Sequence, residues 1–105
     1  MEKGPSTYAE YWTSPYNEVE HYKHAKEFGV GGYDYSRKAM NFAKNKERGT
    51  RSFRAYDGSE YRYKPSTNEF MIISKYGKIV TFYKPTNSKD FIDNKFFECG
   101  EYWLN

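Results

Sequence analysis

Residues 51–64 read Arg51-Ser-Phe-Arg-Ala-Tyr-Asp57-Gly58-Ser-Glu-Tyr-Arg-Tyr-Lys64, and this stretch decides the fold class. Before it, apolar residues recur at helical spacing; from Thr50 onward the period is two. Asp57-Gly58 between two alternating runs is a strong hairpin signal. Arg51–Tyr56 and Glu60–Lys64 are therefore paired strands, with Tyr61 and Tyr63 on one face and Arg62 and Lys64 on the other. Glu69–Lys75 holds Phe70, Met71, Ile72 and Ile73 in a row and is expected to be the central strand. Lys78–Lys84 closes the meander, and Pro85 ends it.

Working back toward the N-terminus, Pro15–Phe28 has a helical pattern with Ser14 as N-cap and Pro15 at the first position. Val19, Tyr22, Ala25 and Phe28 are its candidate buried side, and Gly29 stops it. A second helix runs from Asp34 or Ser36 to Arg48, with Tyr35, Ala39, Phe42 and Ala43 on one side and Gly49 just past its end. The first 14 residues form a lead-in whose Tyr8, Tyr11 and Trp12 pin it to the core. The tail, 86–105, is expected to pack as a short helix or strand against the sheet edge. The fold class is thus α+β: two N-terminal helices packed on an antiparallel β-meander of four or more strands, one domain over residues 1–105.

The composition agrees with a folded domain of unusual core. Leu, Ile, Val and Phe make up only 16 of 105 residues, but 12 Tyr and 2 Trp carry apolar load beside the 8 Phe. No run of about 18 apolar residues occurs, so no membrane-spanning helix is expected. Met1-Glu-Lys-Gly-Pro5 lacks the apolar segment of a signal peptide. The lone Cys99 excludes an internal disulfide and a Cys-rich zinc site.

The net charge of +3 conceals a strong asymmetry: residues 1–35 carry −3, residues 36–65 carry +6, and the remainder is neutral. Arg37, Lys38, Arg51, Arg54 and Arg62 come from the second helix and the adjacent hairpin of the basic third and are expected to converge on one surface. A polyanion is one natural partner for such a block; a solvated helix face and a charged edge strand is the other.

The two histidines, His21 and His24, sit one helical turn apart beside Lys23. At 100° per residue both fall on the Phe28 side, the side expected to meet the sheet. They are open to three readings: a half-buried surface pair, a metal site lacking recognisable further ligands, or a general acid and base. On the last strand, Thr81 and Tyr83 share one face, Val80 and Phe82 take the other, and Lys84 follows. Two imidazoles, hydroxyl donors and cations suffice for metal-free RNA cleavage, in which the 2′-hydroxyl attacks the adjacent phosphate. Other chemistries lack their parts. There is no Gly-x-Ser-x-Gly elbow, and Gly29-Val-Gly31-Gly32 follows a helix and lacks the Gly-Lys-Ser/Thr of a phosphate loop.

Five stretches in order are His21-Tyr-Lys-His24-Ala-Lys-Glu-Phe-Gly29, Tyr35-x-x-x-Ala39, Asp57-Gly58, Asn68-Glu-Phe70 and Gly77-Lys-Ile-Val-Thr81-Phe-Tyr83-Lys84-Pro85. Together they resemble the barnase–EndoU–colicin–RelE (BECR) superfamily of ribonucleases, and within it the C-terminal toxin domains of bacterial polymorphic and contact-dependent inhibition toxins. The resemblance covers roughly residues 16–85. It implies helices packed on an antiparallel sheet, and ribonuclease activity without metal or other cofactor. The implied substrate is RNA, with tRNA foremost, and the implied partner an immunity protein. It implies action as a monomer in the cytoplasm of a target bacterium, after delivery as the end of a larger effector. Carried onto this chain, the catalytic set is His21, His24, Thr81 and Tyr83. Lys23, Arg37, Lys38, Arg51, Arg54, Arg62 and Lys84 are the phosphate-binding set. The competing expectation is a non-catalytic nucleic-acid-binding or structural module of the same fold.

Overall fold

Ser14 opens the first helix as its sequence dictates: its hydroxyl accepts from the Asn17 amide at 3.0 Å, and Pro15 takes the first position. The computed structural model describes residues 4–104. After a short 3₁₀ turn at Ala9–Tyr11, α1 spans Pro15–Glu20 and passes directly into a 3₁₀ helix, His21–Phe28, which ends at Gly29 in the left-handed region (φ 70°). α2 spans Gly32–Lys44. It starts earlier than the sequence suggests and stops before Arg48, because Asn45 is already extended. Gly49 therefore sits in a turn rather than at the helix end.

Four strands follow: β1 Arg51–Ala55, β2 Glu60–Lys64, β3 Glu69–Ile73 and β4 Ile79–Tyr83. The tail supplies both elements that were alternatives for it, α3 at Phe91–Cys99 and β5 at Gly100–Leu104. β5 pairs with β1, so the sheet has five strands in the order β4-β3-β2-β1-β5, all antiparallel. The middle strand is β2, not β3; the apolar run of β3 reflects burial on both faces one place from the edge.

Each face of the sheet has its own core. On one side Trp12, Tyr35, Ala39 and Phe42 pack on Met71, Ile73, Ile79 and Phe82. On the other, Ile92 of α3 packs on Phe53, Ala55, Tyr63 and Phe70. A bulge places these faces on β4. Ile72 pairs with Thr81 but Ile73 pairs with Ile79, which leaves Val80 as the extra residue. Ile79 and Phe82 thus both face the helices although they are three apart. Val80 does not share Phe82's face, as simple alternation requires; it lies with Ile72 on the opposite side.

The outer edge of β4 is covered by the N-terminal segment. Trp12 bridges Ile79 in parallel, the Thr13 amide donates to the Ile79 carbonyl at 3.1 Å, and Asn17 Nδ2 donates to the Val80 carbonyl at 3.0 Å. The Tyr35 hydroxyl donates to the Phe82 carbonyl. Capping an edge strand this way removes a site of edge-to-edge aggregation and fixes the helices against β4. The fully buried Glu18 ties the segment down by accepting from Ser6 and Ser36, while Trp12 Nε1 donates to the same Ser36 hydroxyl at 3.0 Å.

Candidate active site

The 3₁₀ helix sorts its residues into three stripes, because at three residues per turn positions i, i+3 and i+6 eclipse. Tyr22, Ala25 and Phe28 form the buried stripe and join the helix-side core. Lys23 and Lys26 form an exposed stripe. His21, His24 and Glu27 form the third, which faces the end of β4. At the α-helical 100° per residue the histidines would share the side of Phe28. The tighter helix separates them by a third of a turn and aims the imidazoles past the edge strand.

His21 is held at both ring nitrogens. Nδ1 lies 2.8 Å from the Asn17 carbonyl, which fixes it as the donor, and Nε2 lies 3.1 Å from Thr81 Oγ1. The ring packs on Trp12 with centroids 5.2 Å apart. Burial holds this imidazole below the usual histidine value of 6.5; the Asn17 bond opposes that shift, and the charges of His24 and Lys23 add to it. A neutral His21 donating through Nδ1 leaves a basic lone pair on Nε2, beside the Thr81 hydroxyl.

His24 stands on the next turn, its ring centroid 5.8 Å from that of His21. It stacks on Tyr83 at 5.4 Å, and its Nδ1 lies 2.6 Å from Glu27 Oε2. The other Glu27 oxygen accepts from the Lys84 amide at 2.9 Å, so one carboxylate ties the helix to the end of β4 and orients the imidazole. Burial, with Glu27 nearby, raises the Tyr83 phenol above its usual value. It therefore stays protonated across the neutral range and serves as a donor. The Lys84 ammonium lies over the Phe28 ring at 5.2 Å.

The structure thus brings His21, His24, Thr81 and Tyr83 together, with Lys84 at the margin. Glu27 belongs to the same cluster and was not singled out from sequence; the His-x-x-His-x-x-Glu spacing was its signal, at a period of three.

The basic block does not converge. Arg62 stands on the helix side of the sheet, with its side chain only 12% exposed. It pairs with Glu60 at 2.6 Å and donates to the Phe42 and Ala43 carbonyls at 2.9 Å, so it holds the end of α2 to the sheet and is not open to phosphate. Arg54 donates to the Gly58 carbonyl in its own hairpin. Arg51 lies on the opposite side, over Trp103 and paired with Asp93 of α3. Period-two alternation divides these residues between faces. Arg37, paired with Asp34, and Lys38 are exposed on α2. Lys23 points away from the imidazoles on the exposed stripe.

Among the described residues, no three His, Cys, Asp or Glu side chains converge as a metal site, and no helix is long and apolar enough to cross a membrane.

The architecture is that of an α+β domain with helices on an antiparallel sheet, and it is shared with a ribonuclease. This chain is similar in structure to a ribonuclease from Escherichia coli complexed with its inhibitor protein. The TM-score is 0.55 and the identity 21%, with 72% of this chain and 95% of that chain covered. At that identity the likeness is one of fold. No family model and no curated protein matches the sequence.

Proposed function

We propose that this domain is a metal-independent endoribonuclease of the toxin type. The observation that carries the reading is the placement of two imidazoles, on successive turns of one 3₁₀ helix, against two hydroxyls at the end of β4. Neutral His21 takes the 2′-hydroxyl proton through Nε2, and that oxygen attacks the adjacent phosphorus. His24, with Nδ1 directed at Glu27, gives a proton from Nε2 to the departing 5′-oxygen. Thr81 and Tyr83 donate to the phosphate oxygens as negative charge builds, and Lys84 adds positive charge at the margin. The products are a 2′,3′-cyclic phosphate and a 5′-hydroxyl.

The similar E. coli ribonuclease occurs with an inhibitor protein, which supports an immunity partner here. The sequence resemblance supports tRNA as the substrate and delivery into a target bacterium at the end of a larger effector. The test is incubation with total RNA and with tRNA in EDTA, followed by mapping of the ends. Cleavage leaving cyclic phosphate is expected. Intact RNA, or cleavage only after a divalent metal is added, overturns the reading.

A further inference from the structure

The sheet face that carries Thr81 and Tyr83 is covered only in part by α3. Toward the β1–β2 and β3–β4 turns it opens into a pocket of about 430 Å³, within the roughly 300–1,000 Å³ range of small-ligand sites. Tyr61, Ile72 and Val80, from three neighbouring strands, line it, and Asp57, Lys75 and Tyr76 border it. Its position is set by the bulge: Ile72 is the register partner of Thr81, and Val80 is the extra residue beside it. The pocket therefore begins one residue from the hydroxyl that His21 holds. Side chains directly opposite in an antiparallel pair lie only about 4.5–5.5 Å apart at Cβ.

The chemistry of the lining is mixed in a particular way. Tyr76 is 79% exposed, and the Lys75 ammonium sits 5.3 Å from its ring centre. A largely exposed aromatic ring has a face to stack on another flat ring, on the side that Lys75 does not cover. The aliphatic Ile72 and Val80 accept a flat apolar face. Asp57 offers acceptors and Lys75 offers donors, so a ring with both kinds of group on its edge meets partners there. Ser59 already donates twice to one Asp57 oxygen, which fixes the carboxylate's orientation.

We propose that this pocket is the subsite for a nucleobase flanking the scissile phosphate. The base stacks on Tyr76 against Ile72 and Val80, with its phosphate at His21, His24 and Thr81. The proposal rests on the ribonuclease reading and extends it to how the RNA strand is held.

The experiment joins two measurements. In the first, Tyr76→Ala is compared with the parent on a dinucleotide and on the same dinucleotide with the flanking base removed. Stacking of one base implies a KM raised about 5- to 150-fold on the first substrate. No change is expected on the abasic one, and kcat is retained. Equal behaviour of the two proteins on both substrates overturns the subsite and leaves the catalytic reading standing. In the second, a non-cleavable 2′-deoxy dinucleotide is titrated into protein labelled at tyrosine and histidine. Shifts at Tyr61 and Tyr76 together with the imidazoles support the proposal. Shifts at the imidazoles alone overturn the subsite only. No shifts, together with intact RNA, overturn both.

Discussion

His21 Nε2 and Thr81 Oγ1 meet at 3.1 Å although 60 positions separate them in sequence. Neither residue is deeply buried, and the contact adds little to the core. It is made possible by three unrelated devices: the 3₁₀ winding that turns His21 away from Phe28, the Asn17 carbonyl that fixes its tautomer, and the strand alternation that sets Thr81 on the face opposite Phe82. A contact with that much local structure behind it is best tested by removing its parts singly.

Replacing His24 by Ala is expected to lower cleavage by roughly 10²–10⁴-fold, the usual weight of one acid–base group. His21→Ala is expected to fall in the same range. Both rings are half-buried at the edge of the sheet rather than in either core, so thermal unfolding should change little. Single-turnover cleavage of a defined RNA reads the first quantity and a melting curve the second. Parent-like rates in both variants would exclude the histidine mechanism.

The pH profile follows from His21. A base works when deprotonated, and burial keeps this imidazole below 6.5. The acidic limb of kcat/KM is therefore expected below pH 6.5, and its midpoint should move in Asn17 or Trp12 variants that alter the ring's surroundings. Stability carries the same sign. As pH falls through 6.5 the unfolded chain binds a proton before the folded one does, so this contribution is constant above 6.5. It is lost progressively down to the folded-state value. Denaturant titrations from pH 8 to 5 on the parent and His21→Ala check this; the variant should show a shallower decline.

Most of the architecture was legible in the sequence because its signals are local. Ser14-Pro15 caps one helix, Asp57-Gly58 turns one hairpin, and the strands alternate. Meander order then brings β4 to the edge beside the first helix, which makes the meeting of the histidines with Thr81 and Tyr83 foreseeable. What was hidden depends on departures from ideal periods. A helix of period three moved the histidines off the Phe28 side and brought Glu27 into line with them. One extra residue in β4 put Val80 on the face of Thr81 and Tyr83 rather than on that of Phe82. The burial of Glu18 and the commitment of Arg62 are tertiary: each reads as a solvated charge until the hydroxyls of Ser6 and Ser36, or the end of α2, are placed against it.

Glu27→Gln keeps the shape and removes the charge. It is expected to slow cleavage by less than His24→Ala does, since the imidazole remains and only its orientation and charge partner are lost. If Glu27 acts through His24, the double variant His24→Ala/Glu27→Gln should be no slower than His24→Ala alone. An additive loss would assign Glu27 an independent role. Rates for the four proteins under one set of conditions settle the question.

Tyr83→Phe preserves the ring that stacks on His24 and removes only the hydroxyl. Turnover should fall while stability stays within about 1 kcal/mol, the scale of one ordinary hydrogen bond. Because the phenol is raised above its usual value and remains a donor at neutral pH, the loss should be the same at pH 6 and pH 8. A loss that grows with pH would show that the phenol titrates in this range and acts as more than a donor.

The arginines separate into two kinds of variant. Arg62→Ala leaves Glu60, itself mostly buried, without its partner and frees two carbonyls at the end of α2. It is expected to cost about 1.5–3 kcal/mol of stability, the range for hydrogen bonds to a charged group. It should leave the salt dependence of RNA binding unchanged, since its guanidinium does not reach solvent-exposed phosphate. Arg37 and Lys38 are the converse: both are exposed, and the Asp34 pair of Arg37 is a surface pair worth little. Reversing both to Glu should leave the fold intact. If α2 touches the RNA backbone, binding weakens across sequences and the slope of log K against log salt becomes shallower by about one per lost phosphate contact. Binding isotherms at three salt concentrations, with unfolding curves for each protein, distinguish the two. An unchanged slope for the reversed pair would leave the Lys84 side as the route of the strand and make the charge on α2 a solubilising one.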